Sequence, residues 1–167
     1  MNINECRAIY REAFGNDGDF ENRLFSECTE HIKTLCIGGK TVSLLLALPC
    51  NIHSNGDIIP AYYIFAAATK KEFRGNGYMS KLLGSLETDR LLFLKPASAP
   101  LFKFYEKLGF KRFELSANKN SLLFAEPTAA FAKLILTEKP FPTDCTALYK
   151  YKADADISGM YFPYLME

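Results

Sequence analysis

The stretch Ala67-Ala68-Thr69-Lys70-Lys71-Glu72-Phe73-Arg74-Gly75-Asn76-Gly77-Tyr78-Met79 holds the residues whose types and spacing could do chemistry. An apolar strand pattern enters a loop with two glycines, and a helical pattern leaves it. The first N–H groups of a helix have no intrahelical acceptor and sit at the positive end of the helix dipole. Glycines let backbone amides approach a ligand without a Cβ in the way. Such a junction suits a phosphate. Charge agrees, because Lys70, Lys71, Arg74 and Lys81 against Glu72 give +3 within a chain whose formal net charge is +1. Two familiar phosphate loops fail on their residues. A dinucleotide fingerprint needs a third glycine where Ser80 stands and an acid near Leu91 to Lys95, which has none. A P-loop needs GxxxxGK[ST], absent here. The plainer reading of the loop is a glycine-rich turn with a solvated basic rim.

Other reactive side chains carry less. The five cysteines (Cys6, Cys28, Cys36, Cys50 and Cys145) form no CxxC, and the histidines are His31 and His53. A disulfide framework and a zinc site are both poorly supported, so no metal is expected and the cysteines read as buried and reduced. Cys50 as an acyl-carrying nucleophile is disfavoured by its apolar flank Leu48-Pro49 and the lack of a histidine close by in sequence. Tyr105 falls on the apolar stripe Leu101, Phe104, Tyr105, Leu108, which by itself marks it as core.

The chain is 49% hydrophobic and 23% charged, a globular composition. Its near-neutral balance argues against nucleic acid as the main partner. The longest apolar run, Ala61 to Ala68, falls short of the roughly 18 residues a membrane span needs. Met1 to Glu5 lacks the basic and apolar regions of a signal peptide, which points to a cytoplasmic protein without membrane attachment. Aromatic residues make up 14% of the chain and must enter a core or pocket.

The elements that position the loop follow from periodicity. Cys6, Ile9, Tyr10 and Ala13 mark a first helix, with Asn2 and Glu5 resembling a capping box and Gly15 as its stop. A second helix follows Asp19 as N-cap. Ile32 to Ile37, Thr41 to Leu48 and Ile58 to Thr69 read as three antiparallel strands, the last two joined at the Asn55-Gly56 turn. Met79, Leu82, Leu83 and Leu86 predict a helix after Gly77. Leu91 to Leu94 is a short buried strand, and Ser98 caps a helix that Gly109 ends. Strands are expected at Phe110 to Leu115 and Leu122 to Ala125. Beyond them a helix at 128–137 and strands near 145–152 and 158–165 are expected. The order indicates an α+β architecture in a single domain, 1–167, with residues 127–167 as a C-terminal extension.

On these residues the chain resembles the GNAT superfamily of acyl-CoA-dependent N-acyltransferases. That family's R/Q-x-x-G-x-G/A signature is matched by Arg74-Gly75-Asn76-Gly77-Tyr78-Met79, with Met79 at the last position. Its second element, roughly N-x-x-A-x-x-F-Y-x-K-x-G-F, is matched by Ser98 to Phe110, where Phe104-Tyr105, Lys107 and Gly109-Phe110 agree. The resemblance spans Tyr62 to Phe113. It implies a mixed, mostly antiparallel central sheet flanked by helices, in which two splayed parallel strands, those ending at Thr69 and at Leu94, form an acyl-CoA cleft.

The resemblance also implies roles. The pantetheine arm would lie along Ala67, Ala68 and Thr69 like an added strand. The amides of Arg74, Gly75, Asn76, Gly77, Tyr78 and Met79 would hold the pyrophosphate of acetyl-CoA, with Lys70, Lys71 and Arg74 near the outer phosphates. A primary amine of a small molecule or peptide would attack the thioester. A backbone N–H near Ala68 would stabilise the oxyanion, and Tyr105 would protonate the leaving thiolate. The strand from Ile58 to Thr69 contains no acid. His53, Asp57, Glu126 and Glu167 are the candidate bases, and no sequence feature selects among them. Tyr62, Tyr63 and Phe65 could wall the acceptor pocket or belong to the core. Two other classes stay open, a non-catalytic acyl-CoA-binding or sensing module and a protein-interaction domain without cofactor. A homodimer is an open option for assembly.

Overall fold

The computed structural model describes residues 1–16, 18–86, 88–132, 134 and 145–162. The helices are α1 (Ile3–Phe14), α2 (Asp19–Glu27), α3 (Tyr78–Gly84), α4 (Ala99–Lys107) and α5 (Ala129–Ala132). The strands are β1 (Ile32–Ile37), β2 (Lys40–Ser54), β3 (Asp57–Thr69), β4 (Leu91–Leu94), β5 (Lys111–Ser116), β6 (Phe124–Pro127), β7 (Cys145–Lys150) and β8 (Met160–Tyr161). They form two compact units, Met1–Leu48 with Ile64–Glu87, and Pro49–Tyr63 with Thr88–Glu167.

In the first unit, Asn2 caps α1 by accepting from the N–H groups of Asn4 (3.1 Å) and Glu5 (3.3 Å). The reciprocal half of the expected capping box is absent. Glu5 instead accepts from the Thr41 N–H at 2.9 Å, tying α1 to the start of β2. Asp19 is the first residue of α2, whose cap is Gly18. The two helices bury Cys6, Ile9, Tyr10, Leu24 and Phe25, with Tyr10 and Phe25 edge to face at 5.8 Å. Glu21, 1% exposed, is held by Arg7 Nη1 at 2.7 Å and Arg11 Nε at 2.8 Å. Burial alone would raise its pKa, but the hydrogen bonds and charges of Arg11 and Arg7 outweigh that and hold the carboxyl below its ordinary range. β1 pairs antiparallel with β2, and α3 packs on β1 through its buried Leu82 and Leu83.

The second unit departs from a flanked central sheet. Its strands are neighbours in the order β2-β3-β4-β7-β5-β8-β6, and β6 pairs back onto β2 (Cys50 with Pro127 through His53 with Phe124), closing the strands into a barrel. The pairings are mixed. β3–β4, β5–β8 and β6–β8 are parallel, whereas β2–β6, β4–β7 and β5–β7 are antiparallel. The closure depends on β2 running past Leu48, where Pro49 suggests a break. Pro49 is retained because its carbonyl accepts from both the N–H (3.2 Å) and the hydroxyl (3.0 Å) of Thr128. Tyr63, Phe93, Phe131 and Phe162 form the core of this unit, with ring centroids 5.0–6.0 Å apart.

The Asn55-Gly56 turn has the two positive φ values (50° and 90°) of a tight hairpin. Of the helix expected at 128–137, Ala129–Ala132 is present as α5, Thr128 and Leu134 lie outside it, and residues 133 and 135–137 lie outside the described residues. So do residues 163–165 of the last expected strand, and Glu167. Leu101 is not part of a buried stripe, being 37% exposed on α4. Cys36 is exposed and Cys145 half-buried, while Cys6, Cys28 and Cys50 are buried. No described helix is long and apolar enough to cross a membrane.

Candidate functional site

Ala67 to Met79 lie in the first unit. Along β3, Ala66 adopts φ +49°, a left-handed conformation that costs a non-glycine residue about 1–2 kcal/mol. Nothing in an alanine announces this, so the distortion just before Ala67 was invisible in sequence. Ala68 is buried, while Ala67 and Thr69 are half-buried. The Thr69 hydroxyl shares a 2.8 Å hydrogen bond with Ser43, and its carbonyl accepts from Arg74 Nε at 2.9 Å. Arg74 is therefore folded back onto the strand end.

A single 3₁₀ turn, Lys71–Phe73, follows. Asn76 Nδ2 donates to the carbonyls of Phe73 (3.1 Å) and Arg74 (3.2 Å), bracing the loop from within. Gly77, at φ +71°, is the N-cap of α3, a conformation that only glycine adopts without strain. The first α3 bond runs from the Lys81 N–H to the Gly77 carbonyl at 3.0 Å. Among the described residues the N–H groups of Gly75, Asn76, Gly77, Tyr78, Met79 and Ser80 meet no protein acceptor. Six donors thus lie at a helix start whose glycines are exposed.

The basic island is less basic in three dimensions. Lys70 Nζ donates to Glu72 at 2.6 Å, and this bond, with the charges of Glu12 and Glu5 adding, holds the ammonium above its ordinary pKa. Glu12 of α1 accepts from the Lys71 N–H and lies 3.8 Å from Arg74 Nη2. Two helix carboxylates distant in sequence therefore offset part of the +3. Lys70 is engaged with acids, not free for an outer phosphate as the resemblance implies.

Tyr105 lies in the second unit, on α4, and is 6% exposed. The motif residues around it have a local reason. Gly109 (φ +87°) donates to the Glu106 carbonyl at 3.0 Å and Phe110 to the Tyr105 carbonyl at 3.2 Å, a Schellman stop to the helix. The Phe110 ring meets the Tyr105 ring edge to face at 5.6 Å, the hydrophobic contact such a stop usually has. Lys150 Nζ donates to the Leu108 carbonyl at 2.7 Å. Gly109-Phe110 therefore fixes where Tyr105 sits. Burial pushes the Tyr105 phenol up to about 12, and among the described residues its hydroxyl makes no hydrogen bond.

Of the candidate bases, His53 is no loop residue. It lies in β2, stacked on Phe124 at 4.5 Å, with Nε2 3.0 Å from Glu126 Oε2. Asp57 is exposed at the start of β3. Tyr63 belongs to the aromatic core, Tyr62 lies under the Arg90 guanidinium at 5.0 Å, and Phe65 meets Phe20 of α2 edge to face at 6.1 Å. Cys50 is fully buried, and burial pushes its thiol up to about 12, which makes it a poor nucleophile. Among the described residues no group of three His, Cys, Asp or Glu side chains could hold a metal.

A family model described as an acetyltransferase (GNAT) domain matches residues 2–113. No match is found among curated proteins. Among solved structures, the fold is similar to a histone acetyltransferase HPA2 and related acetyltransferase from Corynebacterium glutamicum ATCC 13032, with TM-score 0.57, 18% identity and 93% of each chain covered. It is also similar to a GCN5-related N-acetyltransferase from Anabaena variabilis ATCC 29413, with TM-score 0.57, 22% identity, 70% of this chain covered and 32% of that one. A third is an aminoglycoside 6'-N-acetyltransferase complexed with coenzyme A, with TM-score 0.55, 14% identity and 89% of each chain covered. The chain spans about a third of the length of several acyltransferase structures it matches.

Proposed function

Because the chain belongs to the GNAT acetyltransferase family, we propose that it is an N-acetyltransferase moving an acetyl group from acetyl-CoA to a primary amine of a small molecule or peptide. The observation that carries this reading is the set of N–H groups from Gly75 to Ser80 at the start of α3 that meet no acceptor among the described residues. Backbone donors of this kind suit a pyrophosphate. That a similar fold was solved in complex with coenzyme A supports the same ligand here.

In this reading the pantetheine arm lies along Ala67 to Thr69, and the Arg74–Met79 loop holds the pyrophosphate. The amine lone pair attacks the thioester carbonyl, forming the C–N bond. As the tetrahedral centre collapses the C–S bond breaks, Tyr105 gives its proton to the leaving sulfur, and the proton shed by the new amide nitrogen restores the phenol through solvent. A backbone N–H near Ala68 steadies the oxyanion. The ammonium, with a reference pKa near 10.4, must lose its proton before attack. The engagement of His53 with Glu126 and the lack of any acid on β3 beyond its exposed first residue, Asp57, favour a second reading, a module that binds acyl-CoA without turning it over.

Calorimetry with acetyl-CoA tests the ligand. Absence of heat at millimolar acetyl-CoA removes both readings. Thiol release across polyamines, aminoglycosides, amino acids and peptides separates them, since only the enzyme yields free CoA.

A further inference from the structure

Most of the loop from Lys71 to Gly77 is exposed, so burial does not hold it in shape. Its internal braces are Asn76 on the carbonyls of Phe73 and Arg74, and Phe73 against Tyr78 at 6.3 Å. Among the described residues, Glu12 is the one hydrogen-bond partner that residues 71–80 receive from outside the segment 69–84. The same carboxylate lies 3.8 Å from Arg74 Nη2, while Arg74 Nε donates to Thr69. One α1 side chain thus meets both the entry of the loop and its first motif residue.

We infer that Glu12 is a positioning residue for the anion loop, fixing the loop through the Lys71 N–H and keeping the Arg74 guanidinium folded onto the end of β3. The inference rests on the acyl-CoA reading of the loop. Its chemistry pulls two ways. The hydrogen bond holds the donors of Gly75 to Ser80 in the arrangement that receives a phosphate. The negative charge repels that same phosphate. Position and charge separate in two variants. Glu12→Gln keeps an oxygen to accept from Lys71 and loses the charge, whereas Glu12→Ala loses both.

Two readouts decide it, amide hydrogen exchange at Lys71 in the ligand-free protein and coenzyme A affinity by calorimetry at low and high salt. In Glu12→Ala, Lys71 exchange rises and coenzyme A binding weakens by about fivefold at both salts, the equivalent of one hydrogen bond of about 1 kcal/mol. In Glu12→Gln, exchange stays near wild type and binding is equal or up to about threefold tighter at low salt, a gain that salt screens away. Unchanged Lys71 exchange in Glu12→Ala overturns the inference alone, as does Glu12→Gln binding as weakly as Glu12→Ala. A wild-type protein that binds no coenzyme A overturns the acyl-CoA reading instead.

Discussion

Replacing Tyr105 by Phe removes one oxygen from α4 and leaves its ring contacts with Phe104 (5.0 Å) and Phe110 (5.6 Å) in place. The hydroxyl makes no hydrogen bond among the described residues, so its loss leaves the folded state within about 0.5 kcal/mol. The catalytic effect is larger. General-acid groups contribute roughly 10²–10⁴ in rate. A phenol raised to about 12 is a reluctant donor to a thiolate whose reference pKa is near 8.5, a mismatch of about 5 kcal/mol. That mismatch vanishes if the thiolate is equally dry. Cys50 illustrates the shift, since burial takes its thiol up to about 12 as well. With matched partners but little driving force, the lower end applies. We expect turnover to fall about 100-fold while acetyl-CoA affinity stays within about twofold. The assay is acetyl-CoA consumption with the responsive amine from the panel, beside calorimetry. Wild-type turnover in the Phe variant refutes the acid role, and so does a loss that appears wholly in cofactor affinity. The alkaline limb adds a check of sign. The folded pKa is raised, so below pH 10 the contribution is fully present, and it is lost as pH climbs from about 10 to about 12. The wild-type protein therefore loses up to about 3 kcal/mol in that window that the variant does not lose.

Three further outcomes follow from the geometry. Gly109→Ala forces a Cβ onto a residue at φ +87° and against Lys150 Cε at 3.6 Å, and should cost about 1–2 kcal/mol, a melting-temperature drop of roughly 2–8 °C by calorimetry. Glu21→Ala leaves Arg7 and Arg11 without their shared carboxylate and should cost about 2–3 kcal/mol in denaturant titration. Because the Glu21 pKa is depressed, its contribution is present above the unfolded carboxylate range and lost as pH falls through the folded value, so the gap to Glu21→Ala should close in acid. A thiol reagent at neutral pH should label Cys36 quickly and Cys6, Cys28 and Cys50 only on unfolding, and rapid labelling of Cys50 would contradict its burial.

What the sequence made legible was local. β1 matches the expected span Ile32 to Ile37 residue for residue, and the Asn55-Gly56 turn and the Gly109 helix stop are signalled by residues that reach positive φ at little cost. What it hid was set by partners far along the chain. Pro49 reads as the end of a strand, yet its carbonyl accepts from Thr128 and β6 pairs along the extension. The strands expected near 145–152 and 158–165 are present as β7 and β8, but no motif in residues 127–167 announces their place in the barrel. Glu5 reads as a capping-box acid, but the Thr41 N–H captures it. Each miss is a tertiary hydrogen bond that outweighed a local preference.

The same distinction changes how the loop is understood. Counted along the sequence, residues 70–81 form a cationic patch that could grip a polyanion by charge alone. In space, Lys70 faces Glu72, Glu12 and Glu5, and Arg74 is bound to the Thr69 carbonyl beside Glu12. Side-chain charge at the entry is thus partly offset within the protein, whereas among the described residues the N–H groups from Gly75 to Ser80 meet no acceptor. Backbone donors have fixed directions and little entropy left to lose, so they discriminate by geometry where a free lysine discriminates by charge. On the acyl-CoA reading, a loop built this way favours one compact diphosphate over extended polyanions. The near-zero net charge is then compatible with the proposed binding of a phosphate here.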